Sequence, residues 1–190
     1  ECESCGIDFL STPFDYSAVE FLEKLNVEAY KIASFELVDI PLIKFAASKG
    51  KTMIISTGMG SLEEIRDAVD ACRSVGNDQI ILLKCCSEYP SRWEDMHLGN
   101  MMDMSRRFGA PVGLSDHSIG SLGAVAGVAL GACVIEKHVK LDGVDSADSR
   151  FSMTIEEFGE MVKNVQRVKL MAQGPDYSLT PGEKSSTVFR

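Results

Sequence analysis

An α/β fold built from repeating β–α units is what this sequence predicts, and three observations carry the prediction. Short, near-continuously apolar runs recur along the 190 residues, as in parallel strands covered on both faces. Between them stand segments whose apolar residues repeat at helical spacing. Polar side chains gather where almost every apolar run ends.

The apolar runs are GIDFLS (6–11), AYKIAS (29–34), TMIIST (52–57), QIILLKCC (79–86), PVGLS (111–115) and ACVIEKH (132–138). After the first run, Ala18, Phe21, Leu22 and Leu25 form one helical stripe. Pro41 suits a first helical turn after Asp39 or Ile40, with Gly50 beyond its end. Ser61 and Glu64 have capping-box spacing, and Leu62, Ile65, Val69, Cys72 and Val75 follow at helical intervals. Leu98, Met101, Met102 and Phe108 lead into Gly109. Gly120 to Leu130 is small and apolar, which predicts a buried helix closed by Gly131. Thr154 and Glu157 form a second capping box, opening a long helix with Phe158, Met161, Val162, Val165 and Val168. Six β–α units result, spaced as βαβ repeats are.

Two architectures accommodate such repeats: an open doubly wound sheet and a (β/α)8 barrel. No G-x-G-x-x-G follows the first run, and no G-x-x-x-x-G-K-[ST] occurs. Polar strand ends do recur: Ser11 and Thr12, Lys31 with Ser34 and Glu36, Ser56 and Thr57, Ser87 to Tyr89, Ser115 to His117, Glu136 to His138. That ring is what the catalytic mouth of a barrel requires. A barrel has eight strands and six are counted. The expectation is therefore a (β/α)8 TIM barrel lacking its first two strands, with residues 1–174 as the partial barrel and 175–190 as a linker.

Composition narrows the function. A formal charge of −9 argues against nonspecific nucleic-acid binding. No apolar run is long enough to span a bilayer and no signal peptide is recognisable, so no membrane partner and a cytoplasmic setting are expected. Cys2, Cys5, Cys72, Cys85, Cys86 and Cys133 read as reduced thiols, with Cys85, Cys86 and Cys133 in strand-like runs. The lone C-x-x-C at Cys2 and Cys5 has no second pair to make a zinc site.

His117 and His138 end apolar runs and would point to one mouth. Two imidazoles can hold a divalent metal with positions left open for water and substrate; a hydrogen-bonded structural pair is the alternative. His97 reads as solvated. Lys31, Ser34, Ser56 and Ser115 suit a phosphate or carboxylate cradle, although serine at a strand end also serves as a helix cap. Glu36 and Asp148 are candidate acid–base or hydroxyl-binding carboxylates, or else ordinary surface acids. Tyr89 precedes Pro90, which favours extended backbone, and its ring either lines a pocket or packs.

FLSTPFD, YKIASFE, IISTGM, LLKCCSEYP, GLSDHSIG, VALGACVIEKHVKLD and DSRFSM occur in this order over nearly the whole chain. Together they resemble the sialic acid synthase family. The resemblance implies a transferase that forms a C–C bond between phosphoenolpyruvate and an N-acetylated amino sugar, takes up water and releases phosphate. Phe35, where other branches more often have Gly, and DSRFS resemble the pseudaminic acid branch, whose sugar is 2,4-diacetamido-2,4,6-trideoxy-L-altropyranose. The alternatives are N-acetylneuraminate or legionaminic acid synthesis, a pyruvate aldolase, and a non-catalytic sugar-binding barrel.

The resemblance also implies roles. His117 and His138 would hold Mn2+ or Mg2+, which polarises the sugar aldehyde, and Glu36 would join them as a catalytic residue. Lys31, Ser34, Ser56 and Ser115 would hold phosphoenolpyruvate; Glu36, Ser87, Tyr89, Asp148 and Thr12 would meet the sugar. Cys86, where Thr is common, and Ser87, where some relatives have Asn, would tune the pocket. A homodimer with a C-terminal antifreeze-like domain is implied for the whole protein, and the partial barrel alone would be a poor catalyst.

Overall fold

A computed structural model describes residues 1–190. Its strands are β1 (Ala29–Ile32), β2 (Thr52–Ser56), β3 (Ile80–Cys85), β4 (Val112–Asp116) and β5 (Ile135–Lys137). All pair in parallel and in chain order, β1-β2-β3-β4-β5. That order decides between the two architectures. A doubly wound sheet reverses direction at a switch point, and this sheet has none. Right-handed crossovers between successive neighbours place every connecting helix on one face. The other face curls inward. The result is a half-barrel of five strands, open between β1 and β5, rather than a closed ring.

The helices start where their caps stand. After α1 (Tyr16–Lys24), Asp39 caps α2 (Ile40–Ala47) by accepting the Leu42 N–H at 3.0 Å. Ser61 and Glu64 make a reciprocal capping box on α3 (Leu62–Ser74). The helix α4 (Gly99–Phe108) stops at Gly109, whose φ of 63° is left-handed. Beyond α5 (Leu122–Ala129), Thr154 and Glu157 box α6 (Ile155–Met171).

Strand alternation divides the apolar residues between two cores. A cluster of 26 buried residues, among them Ile32, Ile43, Met53, Ile55, Leu82 and Leu114, fills the space between sheet and helices. A smaller cluster of Ala29, Ile54 and Leu83, joined by Ile81 and Val134, lies on the inward face. Inward positions are therefore 29 and 31, 54 and 56, 81, 83 and 85, then 113 and 115, then 134 and 136. This period of two aims the last inward side chain of each strand at the mouth.

Four expectations are corrected. GIDFLS is not a strand: Ile7, Phe9 and Leu10 are exposed, and one long bond, Lys31 N–H to the Ser11 carbonyl at 3.4 Å, ties the segment to β1. Its other side is open, so no ladder forms. The run 132–138 yields only three strand residues, and Cys133 is exposed rather than buried. The helix α5 is only half buried; Gly123, Ala124 and Gly127 face inward, while Leu122 and Leu130 face solvent. The segment expected to be a linker carries a short helix, α7 (Pro181–Ser186), boxed by Thr180 and Glu183. No helix is long and apolar enough to cross a membrane.

Gly113 shows how tight the inward face is. A Cβ there would lie 2.5 Å from the Val134 carbonyl oxygen and 2.6 Å from Leu83 Cδ2. Gly113→Ala is expected to cost about 1–3 kcal/mol through overpacking, read as a lower midpoint in urea unfolding with an unchanged slope.

Candidate active site

The inward row ends in a polar cavity of about 280 Å3. It is lined by Thr12, Lys31, Ala33, Ser34, Ser56, Cys85, Tyr89, Ser115, His117, Glu136, Lys137 and His138. Eight residues singled out in the sequence thus converge: Thr12, Lys31, Ser34, Ser56, Tyr89, Ser115, His117 and His138. Ser87 stands just beside them. A Cβ on Gly58 would collide with Ser87 Oγ at 2.2 Å and Ser34 Oγ at 2.6 Å, so glycine leaves both hydroxyls their room. The Gly58 N–H donates to Ser34 Oγ at 3.1 Å. Asp148 approaches His138, with Oδ2 3.6 Å from Nδ1. Glu36 does not line the cavity. It sits two residues past Ser34 in a 3-10 turn, half-buried, and its Oε2 has no hydrogen-bond partner. Ser56 Oγ is likewise buried and unpartnered.

Two residues given no role from the sequence belong to the site. Glu136 holds the middle of the cradle: Oε2 is 3.2 Å from the Lys31 ammonium, and Oε1 accepts from Ser115 Oγ at 2.6 Å. Cys85 is the inward residue of β3, with Sγ 3.8 Å from His117 Nδ1 and 3.6 Å from Ser87 Oγ. Burial pushes the Cys85 thiol up, but hydrogen bonds from His117, Ser34 and Ser87 outweigh it and bring it down to about 7. Counting back in twos from His138 and from Ser87 would have found both positions.

The histidines sit in unlike surroundings. Their ring centroids are 5.3 Å apart. Tyr89 packs against His117 at 4.1 Å, and Phe151 against His138 at 5.0 Å. Burial disfavours a charged His117, yet the Cys85 sulfur, the Cys86 carbonyl and the Glu136 charge prevail and hold its pKa above 6.5. His138 moves the other way: burial and the neighbouring His117 charge lower it, against Asp148 and Glu136. Burial also raises the Tyr89 hydroxyl. The His117 Nδ1–H donates to the Cys86 carbonyl at 2.9 Å, which leaves Nε2 free. Asp148 lies on the Nδ1 side of His138. No group of three or more His, Cys, Asp or Glu side chains converges as a closed metal cage. Two imidazoles with one free nitrogen each and open positions beside them fit a catalytic divalent ion better than a structural one.

The NeuB family profile matches residues 1–176. This chain belongs to the NeuB family. It is 45% identical to the pseudaminic acid synthase of Helicobacter pylori over 162 residues, covering 85% of this chain and 48% of that protein. It is 40% identical to the N,N'-diacetyllegionaminic acid synthase of Legionella pneumophila, covering 86% and 47% respectively. The fold superposes on the N-acetylneuraminic acid synthetase of Leptospira borgpetersenii with a TM-score of 0.91 and 31% identity, over 99% of this chain and 66% of that one. A DAHP synthase from Thermotoga maritima shares the fold at TM-score 0.76 and 17% identity. The NeuB chain spans about half the length of the curated relatives it matches.

Because the NeuB chain has three histidines, imidazole NMR of the metal-free protein resolves each ring. His117 is expected to titrate above 6.5 and His138 below it. A common midpoint would contradict the arrangement described.

Proposed function

We propose that this NeuB-family chain carries the condensing site of a nonulosonic acid synthase, acting on phosphoenolpyruvate and 2,4-diacetamido-2,4,6-trideoxy-L-altropyranose. The observation that carries the reading is the inward row itself: one cation, three hydroxyls and two imidazoles on adjacent strand ends around one cavity. Support for the sugar comes from the 45% identity to a pseudaminic acid synthase and from the exposed Phe35 at the rim. The 40% identity to a legionaminic acid synthase keeps that sugar as the second reading.

In this reading Lys31, Ser34, Ser56 and Ser115 bind the phosphate and carboxylate of phosphoenolpyruvate. The incoming anion takes the place of the Glu136 carboxylate on Lys31 and Ser115. The unpartnered Ser56 hydroxyl gains a bond on binding. His117 and His138 would hold Mn2+ or Mg2+, which supplies Lewis acidity at the sugar aldehyde. The Cys86 carbonyl keeps His117 in the tautomer that presents Nε2. Tyr89 covers the His117 ring and excludes water from its face. Glu36, outside the cavity with its Oε2 buried and unpartnered, would turn toward the substrates to accept the proton of the water that adds to the second carbon of the enol. The methylene carbon bonds to the aldehyde carbon, water supplies the new hydroxyl, and the C–O bond to phosphate breaks. Ser87, Asp148 and Thr12 meet the sugar, and the nine-carbon product closes to a six-membered pyranose ring.

The test is phosphate release by the full-length protein with phosphoenolpyruvate and Mn2+, offering the altrose sugar, its legionaminic counterpart and N-acetylmannosamine in parallel. Release with the altrose sugar alone is expected; release only with another sugar would retain the reaction and overturn the substrate. No release with any, from folded protein with metal bound, would overturn the function. Lys31→Met removes a charge-assisted contact worth about 1.5–3 kcal/mol, so the KM for phosphoenolpyruvate should rise roughly 10- to 100-fold.

A further inference from the structure

Three consecutive residues leaving β4 face three leaving β5. Ser115 donates its hydroxyl to Glu136 at 2.6 Å. Next, the Lys137 ammonium lies 2.9 Å from Asp116 Oδ2. The His117 and His138 rings follow, 5.3 Å apart. Alternation turns the outer two pairs toward the cavity and the middle pair toward the helices.

The middle pair is buried as few charges are: 1% of the Lys137 side chain and none of the Asp116 side chain are exposed. Every polar atom is engaged. Asp116 Oδ1 accepts the Ser118 N–H at 2.9 Å and the Ser118 hydroxyl at 2.7 Å. The ammonium also donates to the Ser118 carbonyl. The first turn of α5 seats on this carboxylate, since a Cβ on Gly123 would stand 2.8 Å from Oδ2 and 2.9 Å from Oδ1.

We propose that Asp116 and Lys137 are a positioning pair that locks β5 to β4 in the register that makes His117 and His138 face each other. The strand β5 needs a lock. It is three residues long and registers with β4 over Leu114, Ser115 and Asp116, with backbone bonds from Cys133 to Val112 and from Leu114 to Val134 just before it and from Met153 to His138 just after it. A slip of one residue would turn His138 and Glu136 to the helix side and drive the Lys137 ammonium into the cavity. Such a slip would strand Asp116 as an uncompensated buried charge, so the pair penalises it. The role of the facing histidines rests on the proposed function; the register itself does not.

Two readouts separate these. One is the Mn2+ dissociation constant of the full-length protein by calorimetry. The other is the ring-to-ring NOE between His117 and His138 in the metal-free protein, whose ring centroids lie 5.3 Å apart. Asp116→Asn with Lys137→Met removes both charges while keeping shape. That double variant is expected to lose the NOE and to bind Mn2+ at least tenfold more weakly, whereas Lys137→Arg should keep both. Retention of the NOE and of Mn2+ affinity within twofold in a double variant with a lowered Tm would overturn the proposal and leave a merely structural pair. A wild-type protein that shows the NOE but binds no Mn2+ would overturn the metal in the proposed function, and the NOE alone would then decide the lock. Should the double variant fail to fold, Gly123→Ala leaves both charges in place, displaces the carboxylate, and should weaken the same two readouts.

Discussion

The mouth of this half-barrel depends on parallel register held over very short strands. β1 and β2 align over four residues, as do β2 with β3 and β3 with β4. β4 and β5 align over three. Each cavity side chain stands at the end of such a ladder. Because side chains alternate, a single-residue slip in any strand would exchange an active-site group for a core group. The apolar inward cluster of Ala29, Ile54, Leu83 and Val134 opposes slippage from below. Above it, the cross-strand polar pairs do so.

Magnitudes separate two ion pairs that look alike in a contact table. Lys31 and Glu136 are 3.2 Å apart, and the Glu136 side chain is 40% exposed. With Lys31 12% exposed and Glu136 open to water, the pair is only partly desolvated, and a charge-assisted contact to another anion can replace it. Lys137 and Asp116 are fully desolvated, and removing one partner of such a pair costs about 3–5 kcal/mol. The first pair is therefore exchangeable and suits a binding site. The second is fixed and suits a frame. The acidic background of the chain, −9 in all, makes the first distinction matter: Lys31 carries the charge at the cavity, and Glu136 neutralises it.

Much of this was legible in the sequence, and the rest was not for identifiable reasons. Caps fixed the helix starts, because Ser61, Thr154 and Asp39 satisfy backbone N–H groups locally. The ring of polar strand ends named ten of the residues that line the cavity, because a parallel β–α unit delivers its strand end to one mouth. Strand extent was not legible. GIDFLS has the composition of a strand, but pairing is a property of its neighbours, and it finds one backbone bond. Glu136 stood in that ring without a role, and Cys85 was outside it; inward parity is what puts Cys85 at the cavity. Glu36 was a candidate carboxylate from its place at a strand end, and it lies outside the cavity with an unpartnered Oε2.

The unsatisfied groups themselves complete the argument. Ser56 Oγ and Glu36 Oε2 lie buried without hydrogen-bond partners, on the same pair of β–α units as Lys31. Each such group costs the folded chain about 1–3 kcal/mol in lost hydration. A sequence selected for stability alone would replace them with apolar residues of similar shape. Gly58 is kept small against Ser34 and Ser87 in the same way, leaving room between hydroxyls that a methyl group would fill. The orphaned Ser56 hydroxyl, the Lys31–Glu136 pair and the space held open by Gly58 meet at one cavity, whereas the buried pair behind it is fully satisfied. Stability is thus given up at the mouth, while the pair one residue away is fully satisfied and fixed in place, which is the pattern expected of a preorganised binding site on a rigid frame.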